Sequence, residues 1–181
     1  MVKVWQARET VLRVADAISV NDTSLLDSQV SSGAIESNVK NLTIVEPEGA
    51  IEKIDLLGET SGFQNAELDF KPFGLASISG TLVHPGDEVL EPWAFGDGTA
   101  VPSGSPTHHR YQAGDSTSGK TRKAAAFLVN LDDGTDEVTI LLNNAYISKL
   151  GDRRIASADG HWEQDFEAFC LAKDFYIEYK D

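Results

Sequence analysis

Val138-Thr-Ile-Leu-Leu-Asn-Asn-Ala-Tyr-Ile147 decides how the rest of the chain is read. Apolar residues fall on both parities of this run, so an extended backbone turns them to both faces and the strand must be covered from both sides. After Gly151-Asp-Arg-Arg-Ile-Ala-Ser-Ala-Asp-Gly160, which predicts a polar connection, the pattern changes to period two. From Trp162 to Ala172, Trp162, Phe166, Ala168 and Cys170 point one way, and Glu163, Asp165 and Glu167 the other, as in a half-wet strand. A turn at Lys173-Asp174 then returns the chain as Phe175-Tyr-Ile-Glu-Tyr179, whose aromatic and β-branched residues predict a closing antiparallel hairpin.

Upstream, Ala124 to Leu131 predicts another strand, joined to Val138 through Asp132-Asp-Gly134, a hairpin signal. Ala66, Leu68 and Phe70 alternate with charged residues, and Ile78 and Leu82 with Ser77, Ser79 and Thr81, giving two half-buried strands. Asn38 to Val45 and Ile51 to Leu57 are strand-like, and Glu46-Pro-Glu-Gly49 between them supplies the residues of a hairpin turn. Val11, Val14, Ala15 and Ile18 fit a helical stripe, although the same stretch also reads as a strand. Residues 21–33, polar and rich in small side chains, predict a loop or an extended arm. In Pro85-Gly-Asp-Glu-Val-Leu-Glu-Pro-Trp-Ala-Phe95 the early acids and then Pro92 predict a short helix ending near that proline. These elements amount to an all-β fold, a sandwich or barrel-like arrangement with one short flanking helix, in a single domain spanning 1–181.

Twenty-nine acidic against fifteen basic residues leave a formal charge of −14, which repels a phosphate backbone and argues against a duplex-binding surface. The same excess is what a protein living in concentrated salt carries, because at 1 M the Debye length shrinks to about 3 Å and self-repulsion is screened. The one cysteine, Cys170, excludes an intrachain disulfide. Neither the first residues nor any later run has the continuous apolar length of a leader or a membrane span, so a soluble protein without membrane contact is expected. Against the acidic background, residues 96–123 stand out: five glycines, two prolines, only Asp97 and Asp115 as acids, and Arg110, Lys120, Arg122 and Lys123 beside His108 and His109. A loop this long usually has a role of its own, and charge complementarity predicts that its cations lie against an acidic surface; if the chain assembles with copies of itself, as the resemblance given below implies, that surface is a neighbouring subunit's.

Gly114-Asp-Ser-Thr-Ser-Gly-Lys-Thr121 matches the phosphate-cradling pattern G-x-x-x-x-G-K-[ST] letter for letter. That chemistry needs a buried strand before the loop and a helix after it, whereas Ser105 to Ala113 is polar and Ala124 to Leu131 reads as a strand. Asp132, Asp133, Asp136 and Glu137 could gather a hard cation but lack the spacing of a calcium loop, and adjacent His108 and His109 point apart on an extended chain. Asn21-Asp-Thr23 and Asn41-Leu-Thr43 fit the glycosylation sequon, which chance explains. No nucleophile elbow is present, and neither a catalytic residue nor a cofactor nor a metal is assigned.

In order and texture the chain resembles the major tail tube proteins of long-tailed viruses. The resemblance runs through Ile51-Glu-Lys-Ile-Asp-Leu-Leu-Gly58, Ala76-Ser-Ile-Ser-Gly-Thr-Leu-Val83 with Asp87-Glu88 after it, the long loop, Asn143-Asn-Ala-Tyr-Ile-Ser148 and Gly160-His-Trp-Glu-Gln-Asp-Phe-Glu-Ala-Phe169. The acidic bias makes it look like a member from a virus of a haloarchaeon. The resemblance implies a β-sandwich whose sheet joins those of its neighbours, stacked hexameric rings forming a hollow tail, and long loops and arms bridging rings. It also implies tape measure and tail terminator proteins as partners, passage of viral DNA, and a place in the virion tail after assembly in the host cytoplasm. On this reading Glu163, Asp165 and Glu167 face the lumen. A tail terminator or a capsid-decorating protein of similar build is the alternative, and a nucleotide-hydrolysing module on Gly114 to Thr121 a remote one.

Overall fold

The computed structural model describes residues 11–30, 34–49, 51–55, 66–70, 73–84, 89–96, 98–100, 103, 109–111, 122–132, 137–155 and 162–180. In chain order these form β1 (Val11–Asp16), α1 (Leu26–Val30), β2 (Ile35–Val45), β3 (Ile51–Asp55), β4 (Ala66–Phe70), β5 (Leu75–His84), α2 (Glu91–Phe95), β6 (Thr99–Ala100), β7 (His109–Arg110), β8 (Ala125–Asp132), β9 (Glu137–Ile155), β10 (Trp162–Leu171), a 3-10 turn (Ala172–Asp174) and β11 (Phe175–Lys180). The fold is all-β, with two short helices where one was expected. No helix among the described residues is long and apolar enough to cross a membrane.

The main sheet runs β10-β5-β2-β1-β8-β9-β11 and is antiparallel throughout, and β10 also pairs with β9, which closes the first six strands into a barrel. Closure is possible because β9 is long enough to serve both halves: residues 137–145 pair with β8 and residues 146–155 with β10. The chain bends between them at Asn144, whose φ of 47° is left-handed, and β2 carries a register break at Asn41, φ 53°. Asparagine enters this region more easily than any β-branched residue. Asn143, next to the bend, is buried and bonds both backbone groups of Ile18, accepting from its N–H at 3.0 Å and donating to its carbonyl at 2.8 Å.

Strand alternation fills the barrel with Leu12 and Val14, Ala76, Ile78 and Leu82, Ala125, Phe127 and Val129, Ile140, Leu142 and Ile147, and Phe166, Ala168 and Cys170. Phe127 and Phe166 stack across it with ring centroids 6.1 Å apart. Gly80 lies opposite Phe166, and a Cβ there would stand 2.9 Å from Val39 Cγ1 and 3.3 Å from the Phe166 ring, so the bare backbone makes room for both side chains. On the other side of β8 and β9, Ala126, Leu128 and Leu141 pack with Ala15 and with Leu26 and Val30 of α1, so the double-sided burial expected of residues 138–147 holds over the first half of β9.

Several expectations are corrected. Of the two readings left open for the stretch from Val11, residues 11–16 take the strand, paired with β2 and β8. The stretch expected to be a loop or arm contains α1, because Leu26 and Val30 bury one helical face while polar groups fix its start. Asn21 Oδ1 accepts from Thr23 N–H and Oγ1–H, Gln29 donates to the carbonyls of Asn21 and Ser24, and the Glu178 carboxylate of β11 accepts from Leu26 N–H. Residues 31–33 of that stretch lie outside the described residues. Glu46 to Gly49 is no hairpin turn: β2 pairs with β1 and β5, β3 pairs with β4, and Glu48 O instead accepts from Gly74 N–H. Helix α2 begins where it was expected to end, since Pro92 needs no N–H partner in a first turn. Gly151 to Ile155 is strand, not connection, because Trp162, Glu163 and Gln164 of β10 pair with Ile155, Arg154 and Arg153. β11 pairs with β9 rather than folding back on β10: the two run in line along β9, separated by the 3-10 turn.

Candidate assembly surface

Val89 and Leu90, just before α2, and Trp93 and Ala94 within it pack into the barrel core. Buried Glu91 turns its carboxylate back to accept from Val89 N–H (2.9 Å) and Leu90 N–H (3.1 Å), while its other oxygen meets the Arg153 guanidinium of β9. Trp93 donates to Asp16 at 2.9 Å, and Lys123 N–H to the Trp93 carbonyl at 3.0 Å, so the far end of the 96–123 loop is tied back to the helix from which the loop leaves.

That loop is not free of structure, since β6 and β7 pair Thr99 with Arg110 and Ala100 with His109. His109 and Arg110 are exposed, as is Arg122, whereas Lys123 is half-buried. Arg122 shares a cleft of about 250 Å³ with Lys149, Ser148 and Leu150 of β9 and with Ala94 and Phe95 of α2. Sequence reasoning did not connect Lys149 with the loop, because its partner in space is 27 residues away in sequence. Lys120 lies outside the described residues, as do His108 and the whole of Gly114 to Lys120 with Thr121. Past the phosphate-loop match the chain forms an irregular connection, 122–124, and then strand β8, not the helix the motif requires. Of the acids weighed for a hard cation, Asp132 and Glu137 are cross-strand partners in the β8–β9 hairpin, and Asp133 and Asp136 are outside the described residues.

Glu163, Asp165 and Glu167 do occupy one face of β10, with Gln164, Phe166, Ala168 and Cys170 buried on the other. Neighbouring strands set cations and hydroxyls among them. Lys40 of β2 meets Glu163 at 2.7 Å, Arg154 of β9 meets Asp165 at 2.9 Å, and Thr81 donates to Asp165 at 2.8 Å. Lys149 stands opposite Glu167 in the β9 register. The row is therefore a charge-paired half of a sheet face rather than a bare stripe of acid.

Two features of this face had no reading in the sequence. Past Glu167 it becomes apolar: Phe169 lies opposite Tyr146 and Ser77, Ser77 opposite Val45, and Leu171 opposite Leu75. Beyond Leu171 the line of β10 continues as β11, which among the described residues pairs on one edge only, with β9. Exposed Leu171 and Leu75 look like ordinary strand ends in sequence, and only the register places them side by side.

No family model and no curated protein matches the chain. Solved structures do share its build. The sheath/tube terminator of an extracellular contractile injection system, PVC, in its extended state aligns with 97% of this chain and 97% of its own at a TM-score of 0.50 and 12% identity. The tube terminating cap of the anti-feeding prophage covers 99% and 93% at 0.49 and 10% identity, and a chain of the PVC sheath–tube complex, also extended, covers 97% and 91% at 0.49 and 12%. At such identities what the terminator and this chain have in common is the fold, along nearly their whole lengths.

Proposed function

We propose that the chain is a structural subunit of a phage-like tail, one that associates with copies of itself into stacked rings around a channel for the genome. The observation that carries this reading is the likeness of the barrel, along nearly the whole of both chains, to the PVC sheath/tube terminator, together with β11, which among the described residues pairs on one edge only. An edge strand with unpaired N–H and C=O groups invites another strand, and a repeated head-to-tail contact closes into a ring. Hexameric rings, contacts with tape measure and terminator proteins, and residence in a virion tail belong to this proposal. So does a structural rather than catalytic role. Within the tube, Glu163, Asp165 and Glu167 face the lumen and keep a phosphate backbone from adhering, while Arg110, Lys120, Arg122 and Lys123 reach a neighbour.

A second reading, a terminator that caps the tube with one ring, is favoured by that same likeness, since the protein carrying it is a terminator. Electron microscopy and sedimentation of the purified protein across concentration and salt separate the two. Long tubes support the tube subunit, single rings that do not stack support the terminator, and a strict monomer at high concentration in molar salt removes both.

A further inference from the structure

The apolar end of the β10 face is a feature that the fold alone does not explain. Leu75 is 56% exposed, Leu171 53%, Tyr146 52% and Val45 48%, although each lies in a strand of a closed barrel. Single exposed leucines are ordinary on soluble proteins, but here the register sets four large apolar side chains and Phe169 together on one face. A groove of about 430 Å³ opens among Leu75, Tyr146, Phe169 and Leu171, lined also by Cys170 and by Lys173, Asp174 and Asn144, whose amide donates to Asp174 at 2.9 Å. The other end of the same face carries the Lys40–Glu163 and Arg154–Asp165 surface pairs. Polar chemistry covers one half of the face, then, and among the described residues nothing covers the other.

We infer that this groove seats a second copy of the chain, an assignment that rests on the self-associating reading above. Charge supplies the first argument. At −14, two copies repel over most approaches, whereas this patch carries one cation and one anion on its rim and no net charge. Area supplies the second. A patch of this kind offers on the order of a few hundred Å² per copy, short of the roughly 800 Å² per partner of a stable pair. The contact holds only where each copy makes it repeatedly or together with another, as in a ring or stack. Position supplies the third: the groove opens at the 3-10 turn, where β11 begins, and β11 pairs on one edge only among the described residues, so one neighbour can meet both.

The test is assembly of Leu171→Glu and Tyr146→Glu proteins beside the wild type at matched salt. Both side chains are half exposed, so each variant is expected to fold, with circular dichroism and melting midpoint unchanged, while the concentration for half-assembly rises more than tenfold. Placing a benzophenone amino acid at position 171 gives a second readout that keeps the surface apolar. Irradiation of assembled material is expected to join two copies through that position. A folded Leu171→Glu protein that assembles at the wild-type concentration, or a position-171 probe that joins no second copy within assembled material, overturns the assigned surface and leaves the structural reading standing. A wild-type protein that never assembles overturns the reading and this inference with it.

Discussion

Asn144 holds the bend of β9 in a conformation that costs an ordinary L-residue roughly 1–2 kcal/mol. Asn144→Gly is therefore expected to keep the stability of the native chain, and Asn144→Val to lower it by about that amount in urea unfolding. Equal midpoints for the two variants would show that the bend is not set there. Its neighbour Asn143 serves a different end, replacing a missing strand partner for Ile18, and Asn143→Ala should cost about 1–3 kcal/mol because buried backbone groups lose their bonds. Cys170 illustrates burial acting on chemistry. Desolvation, aided by the charge of Asp174, raises its thiol from 9.0 to about 11. The folded state keeps the proton more tightly than the unfolded one, so this contribution to stability is whole below pH 9 and is lost as pH rises toward 11. Labelling with a disulfide reagent at pH 8 should accordingly be slow in native protein and fast in denaturant; rapid native labelling would contradict the burial.

Among the elements, β8, the first half of β9 and β10 were legible because apolar runs and period-two alternation act locally. What could not be read from local pattern was partnership. Nothing near Phe175 says that it pairs with Leu142 rather than with β10, and nothing near Asn41 or Asn144 but their poor strand propensity marks the breaks that let a sheet close. The candidate site divides the same way: alternation put Glu163, Asp165 and Glu167 on one face, but their cations, and the apolar half beyond them, come from β2, β5 and β9. For the 96–123 loop, reversal of Arg110, Lys120, Arg122 and Lys123 to Glu is expected to leave the melting transition in place and block stacking of rings. Stacking that persists in the reversed protein would assign those cations to solvent. For β10, cysteines at 163 and 167 in a Cys170→Ser background should resist bulky labels in intact tubes if the acids line the lumen; ready labelling at both would put them outside.

At the scale of the whole molecule, charge governs when copies meet. Fourteen excess negative charges on 181 residues oppose any contact at low ionic strength, where the Debye length is tens of ångströms. Raising salt from about 0.01 M to 1 M shortens it to about 3 Å and strengthens apolar burial if the anion is sulfate. Light scattering is expected to show assembly that increases with salt and more so with sulfate than with chloride. Association that weakens monotonically with salt would instead mean that ion pairs, not apolar contacts, hold the copies.

The cyclic order of the barrel also sets a clock. β1 is made first, yet its edge partner β8 begins at Ala125, and the ring of strands stays open until β10, ending at Leu171, lies between β5 and β9. Pairings so distant along the chain fold slowly, in milliseconds to seconds for β-rich domains. β11 follows β10 in the chain, pairs with residues 137–142 of β9 and brings Glu178 to the start of α1. Until β11 is made, therefore, α1 lacks the carboxylate that fixes its start and one edge of residues 137–142 lacks its partner, so a chain whose barrel has already closed still offers β9 to a stray strand.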